Sequence, residues 1–296
     1  MSDYVLSDLQ HGKAECRLVT VDRGEGGRHT LRDLNVTTQL RGDFEIAYTE
    51  GDNAHVHATD TQKNTVFALA REHGVAGPEA FLLVLAEHWR AQPWVSGTWL
   101  HAESYGWERL PANGHSFVRG GAGVRTAWVQ TWGEQTHVLA GLRDLVVLKS
   151  TGSEFHGFPR DRYTTLGETD DRILATSVSA TWRYAPGATD LPWDDVHATI
   201  TAALTDAFAT THSLALQQTI HAMATAALDA CPEVEEIRLS CPNTHHVLVD
   251  LAPFGLDNPG EVFVAADRPY GLISASVARS GEPVPQAWVG LPGTLA

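Results

Sequence analysis

Few residues of this chain stand at spacings that announce chemistry. His55 and His57 flank Val56 and are expected on one face of a strand, and His245 and His246 are adjacent, so with fifteen histidines a metal site must be considered. No carboxylate stands at companion spacing, which favours surface or hydrogen-bonded core histidines. Cys16, Cys231 and Cys241 are odd in number and contain no CxxC pair, so neither a thiolate zinc site nor a disulfide framework is expected. Cys16 and Cys231 read as small buried hydrophobes in a reducing compartment. Walker A, HExxH, EF-hand and GxSxG strings are absent, as is a dinucleotide fingerprint after a strand. The glycines of RGGAG, Arg119 to Gly123, read as a hairpin connection.

Two polar segments sit at element boundaries. GDNAHVHATDTQKNT puts Thr59 and Asp60 at an expected helix start, where free N–H groups and the helix dipole favour an anion; an N-cap role explains the same residues equally well. The stretch from Lys149 to Leu166, KSTGSEFHGFPRDRYTTL, is too polar for core and too aromatic for a mere linker, and reads as a binding loop.

The elements that must position these residues are read from periodicity. Charged and apolar residues alternate from Gly12 to Val19, the period of a half-buried strand, and RGEGGR at 23–28 turns it into a return strand through LRDLNVTTQL. A helix is expected from Thr59 through KNTVFALARE. A second comes after Gly77 and Pro78, with Leu82, Leu85, Ala86 and Trp89 at helical intervals, ending before Pro93. WVSGTWLHAESYGWERL and SFVRGGAGVRTAWVQTW are strand-rich. The second half repeats the order. THVLAGLRDLVVLKS and RILATSVSATWRY are strands. Stripes through Val196, Ile200, Leu204 and Phe208, and through Leu216, Ile220, Met223 and Leu228, are helices; VEEIRLSC, HHVLVDL, EVFVAA and GLISASVA close the chain. The reading is α+β, two tandem β-β-α-α-β-β units at 8–134 and 135–278, with a Pro- and Gly-rich tail at 279–296 expected to be poorly ordered.

Composition bounds the rest. The chain has 296 residues, 43% of them apolar, with 36 acidic against 21 basic side chains and a formal charge of −15. It can bury a core without staples, and it lacks the clustered Lys and Arg that nucleic acid or an anionic membrane requires. No apolar run of eighteen residues, basic leader or SKL-type ending is found, so a cytoplasmic protein is expected.

The strings RGDF, DNAHVHATDTQKNTV, LKSTGSEFHGFPRDRYTTL, HSLALQQT, PNTHH and ADRPYGL, in order and compatibly spaced from about His11 to Val277, resemble the urate oxidase family. The resemblance implies two tandem T-fold units and a homotetramer with a β-barrel tunnel, each active site being shared between subunits. It implies oxidation of urate by O2 and water to 5-hydroxyisourate and hydrogen peroxide, with no metal or organic cofactor and O2 as co-substrate.

Position by position, it implies a proton relay of Lys13 in HGKAE, Thr59 in ATD and His245 in PNTHH. Each can serve: a buried lysine can lose its proton, a hydroxyl passes one on, and histidine titrates near neutrality. It assigns substrate binding to Arg172 and Gln217 as a fork and an amide for the purine edge, to Phe155 as the stacking ring, and to Asp60 and Leu216 through main chain. Asn243 is matched to the group holding O2 or water above the ring. His156 and Pro159, within the loop from Lys149 to Leu166, depart from the family pattern. Two other readings are a T-fold purine or pterin enzyme of different reaction type and a catalytically silent purine-binding barrel.

Overall fold

The structure is a computed structural model and describes residues 4–281 and 283–291. The chain falls into two compact units. Unit 1 takes the chain up to Gly141, with Arg183–Val196 and Pro283–Gly290 added; unit 2 takes Leu142–Trp182 and most of the chain from His197 onward. No helix among the described residues is long and apolar enough to cross a membrane.

In unit 1, strand β1 (His11–Asp22) pairs antiparallel with β2 (Thr30–Gly42), and Gly26 and Gly27, at φ 69° and 73°, make the connection between them. That turn needs glycine because a side chain resists positive φ. A short helix α1 (Glu45–Thr49), too brief for periodicity to reveal, leads by a loop to α2 (Thr59–His73) and α3 (Pro78–Arg90). Proline opens α3, and its buried Phe81, Leu82, Leu85, Ala86 and Trp89 recur every three or four residues. They share a core with Leu34, Val36, Leu40, Leu100 and Ala102, each side chain adding about 1.5–3 kcal/mol where fully buried and large.

The two expected long strands are each broken. The first becomes β3 (Val95–Ser104) and β4 (Trp107–Arg109), the second β5 (Phe117–Arg119) and β6 (Val124–Trp132). β3 lies between β2 and β6, whereas β4 and β5 form their own ribbon. The break falls at glycines: a Cβ on Gly106 would lie 2.9 Å from the Gly120 carbonyl oxygen. RGGAG is therefore the exit from β5 into β6, not a hairpin turn.

Strand β7 (Gln135–Lys149) and strand β8 (Leu174–Tyr184) precede α4 (Trp193–Thr210) and α5 (Leu216–Ala230). In unit 2, β9 (Val234–Ser240) pairs with β13 (Ser274–Ala278), and β10 (Asn243–Thr244) pairs with β8. β11 (His246–Leu248) and β12 (Phe263–Ala265) make a separate ribbon. All these pairings are antiparallel, and the class is α+β.

The tail at 279–296 is expected from sequence to be poorly ordered; its described part holds the following structure. Pro285–Trp288 forms a 3-10 helix with Ala287 and Trp288 buried, and the buried amide of Gln130 donates to the carbonyls of Ala287 at 2.9 Å and Val289 at 3.1 Å. Register places Gln130 opposite Trp99, one residue out of phase with Leu100, so the tail lies on the face of unit 1's sheet away from the helices. The tail's anchors are the buried Trp288 indole and the carbonyls that accept from Gln130. Residue 282 and residues 292–296 of that expectation lie outside the described ones.

Candidate active site

The candidate residues fall into two sets. Lys13, Thr59 and Asp60 belong to unit 1; Phe155, Arg172, Leu216, Gln217, Asn243 and His245 belong to unit 2.

In unit 1, Lys13 pairs with Thr38 on the last regular step of β1 before a bulge that ends at Cys16, where Glu15 takes φ 57°. Bulges re-aim side chains and gather beside functional sites. Gly12 fits because a Cβ there would stand 1.8 Å from the Thr38 carbonyl oxygen. The hydroxyl of Thr38 donates to Gln62 Oε1 at 2.8 Å inside the core, tying Lys13's partner to the first turn of α2. Thr59 is the first residue of α2, and no side chain caps that end, so its hydroxyl is not consumed as the N-cap reading required. The Asp60 carboxylate is turned back on its own helix by Lys63 and Asn64, and the Lys63 hydrogen bond holds its pKa below the usual carboxylate range.

The expected histidine strand is not formed: residues 51–58 are loop and turn. His55 is stacked 5.6 Å from the Trp94 ring and lies 3.1 Å from Asp43, while His57 meets Trp89 at 5.1 Å and Trp94 at 5.5 Å. Burial lowers the His57 pKa and favours neutral imidazole. Among the described residues no three His, Cys, Asp or Glu groups stand together as a metal cage. The three cysteines are free and buried, and burial pushes the Cys231 and Cys241 thiols up to about 11 and about 12.

In unit 2, the loop after β7 is stitched to the segment before α5. Glu154 N donates to the Ser213 carbonyl at 2.7 Å, and Ser213 N to that of Gly152 at 3.0 Å. Phe155 exchanges backbone bonds with Thr169, and Arg172 stands just before β8 with its guanidinium carbon 5.0 Å from the Phe155 ring centroid. Burial lowers the Arg172 pKa, yet guanidinium keeps its charge throughout the physiological range. The stitching brings Phe155 and Arg172 beside the start of α5, where Leu216 is buried. Gln218 Oε1 accepts from Leu214 N at 2.8 Å, leaving exposed Gln217 as the uncommitted amide of the pair. Asn243 pairs with Thr176 of β8, four residues beyond Arg172, and its N–H donates to Gly271 at 2.7 Å. His245 is exposed, its carbonyl held by Ala266 N at 2.9 Å, whereas His246 Nδ1 lies 3.3 Å from the Thr244 carbonyl.

Supporting residues escaped the sequence reading. Buried Ser153 lies 3.4 Å from Arg172 Nε, and Thr219 donates to Ser213 at 2.8 Å. The Asp171 carboxylate gathers the Thr151 hydroxyl and the Gly152 N–H, its pKa held down first by Thr151. Phe158 is stacked on Phe155, centroids 4.8 Å apart and planes within 12°. All but Ser213 and Thr219 lie in or beside the loop whose composition marked it for binding.

A ring, a guanidinium and a side-chain amide on mutually bonded segments are equipment for holding a flat, conjugated, anionic molecule, while Lys13 and Thr59 are proton-carrying groups on a bulged strand and a helix start. The fold defines the class as an α+β protein with a large antiparallel sheet, and these groups are of the types that suit a planar heterocycle. The uricase family model matches residues 9–130 and 138–274. Uricase of Arthrobacter globiformis is 56% identical over 278 residues, covering 94% of this chain and 91% of the relative; that of Danio rerio is 35% identical, covering 91% and 93%. The crystal structure of the Arthrobacter globiformis uricase superposes with a TM-score of 0.92 at 55% identity, covering 96% of this chain and 98% of the other. The chain belongs to the uricase family.

Proposed function

We propose that this chain oxidises urate with O2 and water to 5-hydroxyisourate and hydrogen peroxide, with no metal or organic cofactor. The observation that carries the reading is the stitched unit 2 loop, which sets Arg172 over Phe155 beside the helix start bearing Gln217. Family membership supplies the reaction.

Arg172 and Gln217 grip the oxygen and nitrogen edge of the urate anion, Phe155 stacks under its ring, and Asp60 and Leu216 contribute main-chain contacts. A fixed positive charge favours the more ionised, more electron-rich substrate, from which electrons pass to O2 held near Asn243. Lys13, Thr59 and His245 take the proton from urate, then direct water onto the oxidised ring as peroxide leaves. The family resemblance is what supports a site shared between subunits of a homotetramer, with Lys13 and Thr59 from one subunit and Arg172, Gln217 and His245 from another. We further assign two T-fold units, 8–134 and 135–278, closing with partner subunits into a tunnel-forming barrel in the cytoplasm, where free cysteines persist.

The test is to incubate purified, metal-stripped protein with urate in air and chelator, following urate absorbance and peroxide together. Loss of one with gain of the other is expected. Urate binding without either signal would leave a silent purine-binding barrel, and activity only on added zinc would point to another T-fold chemistry.

A further inference from the structure

His11 and His57 tie together the two backbone segments that carry Lys13 and Thr59. His11 opens β1, two residues before Lys13; His57 stands in the loop into α2, two residues before Thr59. The ring nitrogen Nε2 of His11 lies 3.2 Å from the His57 carbonyl oxygen, so in the tautomer that protonates Nε2 it donates across 46 residues of sequence. The other ring nitrogen, Nδ1, is buried and makes no hydrogen bond among the described residues. Its ring is wedged edge-on against Phe44, centroids 4.5 Å apart at 80°, and Phe44 is fully buried. The rotamer is thus fixed by packing and its one hydrogen bond by the loop.

On the far side of the bond, the His57 ring rests on Trp89 and Trp94, so the carbonyl is presented from an anchored residue. The Thr38 to Gln62 hydrogen bond ties β2 to α2 from inside the core, and so reaches the Lys13 segment indirectly, through the β2 residue paired with Lys13 and the residue three beyond Thr59. Two ties at different points remove the hinge that one alone would leave.

We infer that His11 is a positioning residue, which through the His57 carbonyl fixes the Lys13 ammonium and Thr59 hydroxyl at proton-transfer distance when substrate is bound. This rests on the proposed relay role of Lys13 and Thr59. The partners of the His11 ring are the His57 carbonyl and Phe44, so its effect is argued through placement, where an error of about 1 Å can cost about a hundredfold in rate.

The full-length chain separates the possibilities. His11→Phe keeps a ring against Phe44 and removes the donor; His11→Gln restores an N–H at similar reach. Steady-state urate oxidation by His11→Phe is expected to show kcat lowered about tenfold with KM within about twofold, and His11→Gln to recover most of kcat. Circular dichroism and melting monitor folding, with His11→Leu as the second donor-free variant if the Phe variant does not fold. Unchanged kcat in the donor-free variant, or equal loss in His11→Gln, overturns the inference. Lys13→Met discriminates the levels: if it is inactive while His11→Phe is unimpaired, only the positioning inference falls. If Lys13→Met is fully active, the relay reading falls with it.

Discussion

The Arg172 guanidinium carbon lies 5.0 Å from the centroid of the Phe155 ring, and that ring is also stacked on Phe158 at 4.8 Å. Charge and aromatic surface are thereby offered to one ligand from residues seventeen apart in sequence, joined by the backbone exchange between Phe155 and Thr169. Arg172→Lys keeps the charge and loses the planar fork. Its KM for urate is expected to rise about tenfold or more, with kcat falling less, read from steady-state kinetics. An unchanged KM would remove Arg172 from the binding role.

The proposed shared site requires Lys13 from one subunit and Arg172 from another. Lys13→Ala and Arg172→Ala are each expected to be inactive, and mixing them under subunit exchange should restore part of the activity through the intact sites that form. No recovery after verified exchange would count against sharing.

Asp33 is held by Arg17 at 2.8 Å, Trp107 Nε1 at 2.8 Å and Arg119 at 3.1 Å. Burial pushes its carboxyl pKa up, but these bonds and the Arg17 charge outweigh that and hold it below the usual range. A depressed folded pKa stabilises the fold above the unfolded pKa, and that contribution is lost as pH falls through the folded value. Unfolding free energy should therefore decline below about pH 4, and Asp33→Asn should flatten that acid limb in urea titrations.

Glu79 is fully buried in the first turn of α3, its carboxylate 2.6 Å from Arg125, which also reaches Asp194 at 2.6 Å. Arg125→Met strands that carboxyl in the core. A loss of about 3–5 kcal/mol is expected from the urea midpoint, with Glu79→Gln added to Arg125→Met recovering part of it.

Trp288 is 5% exposed although it lies in a segment of Pro and Gly. Trp288→Ala should cost about 3–5 kcal/mol in equilibrium unfolding, and a silent substitution would show that the tail contributes nothing to unit 1.

Much of the framework is legible in sequence because it depends on local period. The stripe of α3, the alternation of β1 and the turn glycines of its hairpin each report a repeat that a short window contains. The departures from expectation had long-range causes. β3 and β4 part because Gly106 meets Gly120, the tail docks because Gln130 has carbonyls to pair, and the histidines of 51–58 leave strand geometry for tryptophan rings.

The candidate site divides the same way. The resemblance to the urate oxidase family names Lys13, Thr59, Phe155, Arg172, Gln217, Asn243 and His245 as candidates; residue types alone mark only the helix start at Thr59 and the loop that contains Phe155. Only the folded chain decides which are available. It commits Gln218 to the helix start and leaves Gln217, turns Asp60 onto Lys63, and sets Ser153 and Phe158 around the Arg172–Phe155 pair. Sequence by itself determined the family, the element types and the reactive groups, all properties of residues and their near neighbours. Tertiary structure alone decided the partners of those groups, because a hydrogen bond or ring contact depends on distance in space, which separation along the chain does not encode.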